Sequence, residues 1–317
     1  MNNITFSIAI PAYKSEFLRE AIQSCLCQTY KNFEVVIVDD CSPYNIGAIV
    51  HEYDDARIKY FRNECNYGAE NVIGNWNKCL DLCNCDYVIC MGDDDVLLPN
   101  CLEEYSKLIS KYPSLAVFHA WTQIINEKGE VIELQEKRPE IESPLSLWWH
   151  RWTYRYLQYI GDFCFKTEHL KKENGFYKLP YAWASDDITA LRAAFECGGI
   201  ANTQRICFSY RKNSFTISNN ISNCRGKIIA IGLERNWYVN LMKDVETSTY
   251  EDQIMSQLIE NKFNEYWEKK YTYYIAKDSM QSFRRLFFWI VNYKKYGVPK
   301  KAIINSIKQT IKNKIKK

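Results

Sequence analysis

The chain has 317 residues, of which 47% are apolar and 25% charged, and it carries a net charge of +3. This length allows one large α/β domain with an appendage, and the composition excludes a disordered or collagen-like chain. So small a charge excess makes no case for nucleic acid, and no nucleic-acid partner is expected.

The thirteen cysteines are odd in number and show no C-x-x-C spacing. They read as reduced thiols, several acting as small core hydrophobes. Cys79, Cys83 and Cys85 form the densest group and read as packing rather than a zinc site. No basic run or small-residue cleavage site accompanies the N-terminal SIAIPAY, and no apolar run approaches the roughly 20 residues of a spanning helix. A cytoplasmic protein is expected.

In chain order, Phe6–Ile10 reads as a short buried strand stopped by Pro11, which has no N–H for a ladder. From Glu16 to Gln28, Phe17, Leu18, Ala21, Ile22, Cys25 and Leu26 recur at helical spacing, and FEVVIVDD follows as a second buried strand ending in two carboxylates. This is a right-handed βαβ unit and implies a parallel sheet. A short strand at Ile58–Phe61, a helix over Val72–Leu82 and the strand DYVICM come next, the last running into GDDDVLLP. Ligands of open α/β sheets bind beyond the carboxyl ends of the strands, so Asp40, Asp93, Asp94 and Asp95 should converge on one site. Beyond Pro99 the pattern predicts a helix to Lys111, a strand in LAVFHAWTQII, a polar turn at Asn126–Gly129 and a short strand in GDFCFK. Between the last two lies an aromatic segment with Trp148, Trp149 and Trp152, at least two of which read as core. From 222 onward the periodicity is helical, which predicts an α/β domain over 1–221 and a helical extension over 222–317.

Three adjacent carboxylates raise one another's pKa unless a cation offsets them. A magnesium ion held by one or two of them, with water and phosphate oxygens, suits such a turn. A polar turn capping the next helix is the alternative.

In order and spacing, SIAIPAYKS, CLCQTYKNFEVVIVDDCS and YVICMGDDDVLLP resemble successive motifs of family 2 glycosyltransferases, and the resemblance covers residues 4–215. It implies a GT-A fold, that is, a Rossmann-like, mostly parallel sheet flanked by helices. It also implies inverting transfer from a nucleotide sugar, a UDP-sugar being favoured, with Mg2+ or Mn2+ as cofactor. Pro11, Ala12 and Tyr13 match the first-strand loop over the nucleoside, and Asp40 matches the carboxylate that reads the donor base. Asn66, Gly68 and Asn75 match an N-x-G stretch and polar helix face beside the diphosphate and base, although the usual basic residue is missing. Asp94 matches the principal metal ligand and Asp93 the residue beside the ribose. Gly92 stands where many members carry the first Asp of the metal motif, and a shifted triplet brings in Asp95.

WASDDITALR resembles the block whose Asp, at the start of a helix, takes the proton from the acceptor hydroxyl. Ser185 replaces the usual Glu; counting from Arg192 favours Asp186 as the base, and a shifted pair favours Asp187. Either carboxylate is expected to stay ionised at a helix N-terminus. Tyr210 and Arg211, followed by Asn213 to Ser218, resemble the closing block. No His is present there as a further metal ligand, and Arg211 is expected to neutralise the diphosphate.

The activity implied is transfer to a glycan or lipid-linked acceptor in bacterial-type surface polysaccharide or glycan assembly. The alternative is a non-catalytic carbohydrate-binding or assembly protein on a decayed transferase fold. Lys294–Lys317 carries nine lysines and no acidic residue, with Ile304, Ile307, Ile311 and Ile315 on one stripe. That is the pattern of a helix lying on an anionic membrane, which would place the protein peripherally at the inner face of the cell membrane. A helix packed on the protein's own surface is the other reading.

Overall fold

The structure is a computed structural model that describes residues 4–213 and 224–315. It divides into two compact units, Met1–Lys178 with Ser185–Ser214, and Leu179–Ala184 with Phe215–Lys317. A single boundary at 221 does not anticipate that 179–184 belong to the second unit, and 221 itself lies outside the described residues.

The first unit opens with β1 (Phe6–Ala12), α1 (Leu18–Leu26), β2 (Phe33–Asp39), α2 (Ile46–Val50), β3 (Ile58–Arg62), α3 (Val72–Leu82) and β4 (Tyr87–Cys90). It continues with β5 (Val96–Leu97), α4 (Cys101–Lys111), β6 (Val117–Ile125), β7 (Val131–Leu134), β8 (Ile141–Glu142) and α5 (Pro144–Trp152). It closes with β9 (Phe163–Lys166), α6 (Thr167–Lys172), α7 (Ser185–Cys197) and β10 (Ile200–Arg211). The strands form one sheet in the order β3-β2-β1-β4-β9-β6-β10-β5, with β7 on β6 and β8 on β10. β1 to β4 run parallel, as do β6 and β10, whereas β9 is antiparallel to both of its neighbours. A fully buried strand carries the same unbroken apolar run in either direction, so the sequence pattern does not disclose that reversal.

Pro11 lies inside β1 rather than ending it, paired with Val38 of β2. Pairing with β4 covers only Phe6–Ala9. The Ala9 carbonyl accepts from Met91 on the β4 side and the Ala12 carbonyl from Asp40 on the β2 side. Pro11, in phase with Ala9, therefore turns its missing N–H toward the side where β4 has ended, and no ladder bond is lost. Every residue of β2, and all of β1 except Pro11, is buried. α1 lays Leu18, Ala21, Ile22 and Cys25 into this core. Each buried Leu or Ile contributes about 1.5–3 kcal/mol, so the strand ends form a firm rim for the polar residues that follow. Trp148 and Trp152 of α5 are buried as expected, and Trp149 is half-buried.

The second unit contains α8 (Cys224–Asp244), α9 (Tyr250–Ser279), α10 (Phe283–Asn292) and α11 (Lys300–Ile315). α9 buries Ile259, Phe263, Trp267, Tyr271 and Ile275 at four-residue intervals, and its Lys270 donates to the buried Glu234 of α8 at 2.6 Å. Residues 179–184 join this unit because the Trp183 ring packs edge-on to Tyr274 at 4.9 Å, with Lys227 and Lys270 over its face. Among the described residues no helix is long and apolar enough to cross a membrane.

Candidate active site

The carboxyl ends of β1, β2, β3 and β4 are tied together by side chains. Asp39, the last residue of β2, is fully buried; its Oδ1 accepts from the Ser42 N–H at 2.7 Å and its Oδ2 from Tyr60 at 2.9 Å and from Arg62. Ser42 in turn donates to the Tyr13 carbonyl at 2.6 Å. The bonds to the Asp39 carboxylate are charge-assisted and roughly twice as strong as neutral ones; they fix the turn at Ser42, whose hydroxyl then holds the loop after β2 against the loop after β1. The neighbouring Asp40 accepts through Oδ1 from Asn63 and from the Tyr67 N–H, both at 3.0 Å, and its carbonyl accepts from Asn66 at 2.8 Å. Tyr13 beside it is 42% exposed, with its ring edge-on to Tyr44 at 6.5 Å.

The three aspartates after β4 take three different tasks. Asp93 Oδ2 accepts from the backbone N–H groups of Tyr13 and Lys14 at 2.7 and 2.6 Å, which fastens the β4 end to the β1 end. Burial, then the charge of Asp94, pushes its carboxyl up to about 6, although the two N–H groups oppose the shift. Asp95 Oδ1 accepts from the Arg211 N–H at 2.9 Å, and Asp94 Oδ2 from Asn213 at 2.6 Å. The remaining oxygens face one spot: a Cβ on Gly92 would lie 2.7 Å from Asp94 Oδ1 and 2.9 Å from Asp95 Oδ2. Among the described residues no group of three or more His, Cys, Asp or Glu could hold a metal ion. A divalent ion that takes two carboxylate oxygens and completes its shell with water and phosphate still fits the Asp94 and Asp95 oxygens over Gly92. Gly92→Ala is expected to displace both carboxylates, and because Asp95 is buried on the Arg211 N–H, Tm should fall by a few degrees. Donor affinity measured calorimetrically with Mn2+ should fall about tenfold or more, the equivalent of ~1.4 kcal/mol.

Asp186 and Asp187 occupy the first turn of α7. Asp187 is buried and its Oδ1 accepts from Arg151 Nε of α5 at 2.8 Å. Gln158, with its amide oriented to satisfy both ends, donates to the same oxygen at 2.6 Å and accepts from Arg138 at 3.2 Å. Asp186 is half-buried, and its Oδ1 accepts from the Asp187 N–H at 2.9 Å. Burial first, and the Asp187 charge second, push the Asp186 carboxyl up to about 8. At Asp186 the shift runs against the expectation of a carboxylate kept ionised by its helix N-terminus. A helix end is worth about 0.3–1 kcal/mol, less than one pKa unit, whereas burial shifts a carboxyl by up to 3–5 units. Tyr210, stacked on Tyr159 at 3.6 Å, feels the charges of Asp95, Asp94 and Asp186, after burial, as its phenol is pushed up. The acid on α7 and those after β4 thus share one neighbourhood.

The structure gathers Tyr13, Asp40, Asp93, Asp94 and Asp95 at the ends of the strands, with Asp186 at the start of α7 near the last of them, and gives several expected contacts other work. The Ala12 side chain is fully buried and its carbonyl is taken by the Asp40 N–H. Asn75 is buried and accepts from Asn63, so it supports Asp40 from behind. Asn66 is exposed and braces the Asp40 carbonyl, and Gly68 adopts φ 74° where the chain turns into α3. Arg211, expected at a diphosphate, is 1% exposed. Its Nε donates to the Asp94 carbonyl at 2.8 Å, one terminal nitrogen to Asn126 O at 3.1 Å and the other to Glu20 at 2.5 Å. The Phe17 ring covers it at 4.4 Å. It therefore fixes the aspartate turn from inside. The stretch Ser214 to Ser218 lies outside the described residues. Sequence reasoning missed Asn63, Arg151 and Gln158. Asn63 follows the last residue of β3, and the strand-end rule that drew attention to Asp40 applies to it equally.

The sequence matches the family described as Glycosyl transferase family 2 over residues 7–216. It is 36% identical over 107 residues to the putative colanic acid biosynthesis glycosyl transferase WcaA of Escherichia coli K12, covering 33% of this chain and 37% of that one. It is 31% identical over 132 residues to the E. coli UDP-Glc:alpha-D-GlcNAc-diphosphoundecaprenol beta-1,3-glucosyltransferase WfgD, covering 41% and 51%. The matches thus span about half or less of these curated relatives. The fold is similar to residues 1–349 of Staphylococcus aureus TarS in complex with UDP-GlcNAc, with a TM-score of 0.66 at 16% identity, covering 99% of this chain and 93% of that one. The likeness shows a shared GT-A-type fold.

Proposed function

Because the chain belongs to glycosyltransferase family 2, we propose that it transfers a sugar from a nucleoside-diphosphate sugar to an acceptor hydroxyl in bacterial-type surface polysaccharide or glycan assembly. The observation that carries this reading is the bonding of Asp93 to the Tyr13 and Lys14 N–H groups, which puts the β4 acids beside the β1 loop. Tyr13 offers a ring for the donor base, Asp40 an acceptor for its N–H groups, and Asp94 with Asp95 the seat for Mg2+ or Mn2+. Bound there, the ion would supply positive charge to the departing nucleoside diphosphate. Asp186 acts as the base: its carboxylate takes the acceptor proton as the acceptor oxygen bonds to the anomeric carbon and the bond to the diphosphate oxygen breaks. A single displacement of this kind inverts configuration. A UDP-sugar is the favoured donor, since WfgD is named for UDP-Glc and the TarS structure contains UDP-GlcNAc. The WfgD name also makes a lipid-linked acceptor the first to try, and such a donor goes with a cytoplasmic site of action.

The test is release of UDP from a panel of UDP-sugars by the purified chain with Mg2+ or Mn2+, and again after chelation. Release that chelator abolishes is expected. No release above background with any nucleotide sugar, together with no thermal stabilisation by any of them, would overturn the reading in favour of a non-catalytic scaffold.

A further inference from the structure

In the second unit, α10 and α11 leave apolar side chains outside. α10 is pinned by the fully buried Asp278 of α9, which accepts from Trp289 Nε1 at 2.7 Å and from Arg285 at 2.6 Å. These bonds turn Leu286 and Trp289 inward. Phe287 and Val291 then fall on the opposite stripe, 67% and 60% exposed. α11 behaves likewise. It buries Ala302, Ile303, Ser306 and Thr310, and the two hydroxyls donate within the helix to Ile303 O at 2.8 Å and Ser306 O at 2.7 Å. With their hydroxyls satisfied, these small residues pack closely at little cost. Of the isoleucine stripe read from the sequence, Ile304 is 43% and Ile311 51% exposed, and Ile307 is half-buried.

We infer that the outward faces of α10 and α11 form a membrane-docking surface for anionic phospholipid, with Phe287 and Val291 entering the acyl boundary and the lysines of α11 facing the headgroups. The charge of the segment argues for this occupant: Lys294–Lys317 contains nine lysines and no acidic residue. Lys301 pairs with Glu268 of α9 at 3.2 Å, but a second copy of the chain would still bring net positive charge to the contact, whereas an anionic lipid surface neutralises it. Burying the apolar stripe in the headgroup boundary while lysines stay at the phosphates is the usual arrangement of an interfacial helix.

The experiment is co-sedimentation of the full chain with vesicles of phosphatidylcholine alone or with about 30% phosphatidylglycerol, at low and high salt. Binding is expected only to the anionic vesicles and should weaken as salt rises. Phe287→Glu with Val291→Glu should lower it about tenfold or more, and Lys308→Glu with Lys312→Glu should remove the preference for anionic lipid. All four positions are partly or wholly exposed, so an unchanged Tm accompanies the expected result. Wild-type binding by the Phe287/Val291 variant, or no binding to anionic vesicles at low salt, would overturn the inference. So would self-association of the wild type that the same variant abolishes, which would assign the face to a second copy. The readout needs no sugar transfer, so a chain that releases UDP yet ignores vesicles removes this inference alone.

Discussion

Asp186→Asn is expected to lower sugar transfer about 100-fold or more while donor affinity stays near wild type. Of the two acids on α7, Asp187 is already committed to Arg151 at 2.8 Å and to Gln158, and so serves as a positioning residue. Asp186 keeps a carboxyl raised to about 8, close to the pH at which a general base works best. The base acts ionised, so kcat/KM should fall about tenfold for each pH unit below about 8 and level off above it. Asp186→Asn should abolish that limb. The stability effect has the opposite sign, because the folded chain retains a proton that the unfolded chain has released. This group therefore lowers stability as pH rises from the ordinary carboxylate value of 3.8 toward about 8. Asp187→Asn should instead weaken the Arg151 pair and lower Tm by about 2–4 °C for each kcal/mol lost. If Asp187→Asn removes the pH limb and Asp186→Asn leaves it, the roles are exchanged.

Much of the first unit was legible because its strands are uninterrupted apolar runs and its helices keep a three- and four-residue rhythm. The helix over Val72–Leu82 has the expected bounds. The strand-end rule led from FEVVIVDD to Asp40 and from DYVICM to the acids that follow. It did not say which way each acid points. Asp93, Asp94 and Asp95 are adjacent in sequence, yet their partners Tyr13, Asn213 and Arg211 come from two distant parts of the chain, and only tertiary packing decides that division. Pro11 misled for a similar reason: a proline ends a strand only if its blank side faces a partner, and β4 stops short of it. On α11 hydrophobic spacing identified a real stripe but could not tell that Ser306 and Thr310, self-satisfied, would be the side that packs. At Asp186 a helix terminus is visible in sequence, and the burial that pushes its carboxyl up is not.

Asp94→Ala is expected to remove metal-dependent donor binding and leave the fold intact. The side chain is half-buried and contributes one bond, to Asn213 at 2.6 Å, so its loss costs about 1 kcal/mol of stability and a few degrees of Tm at most. Its other oxygen is directed over Gly92, beside Asp95 Oδ2. Removing that oxygen halves the carboxylate set available to a divalent ion, which ordinarily draws on only one or two protein carboxylates. Affinity for a UDP-sugar, titrated calorimetrically with Mn2+, should drop about 100-fold, or ~2.7 kcal/mol, to the level that wild type shows after chelation. Asp95→Ala makes the informative contrast, because Asp95 is buried on the Arg211 N–H and its removal also loosens the turn from inside. That variant should lose stability and donor binding together. Donor affinity retained by Asp94→Ala in the presence of Mn2+ would sink the assignment of the ion to this turn. The aspartates would then serve only to fasten β4 to β1 and β10.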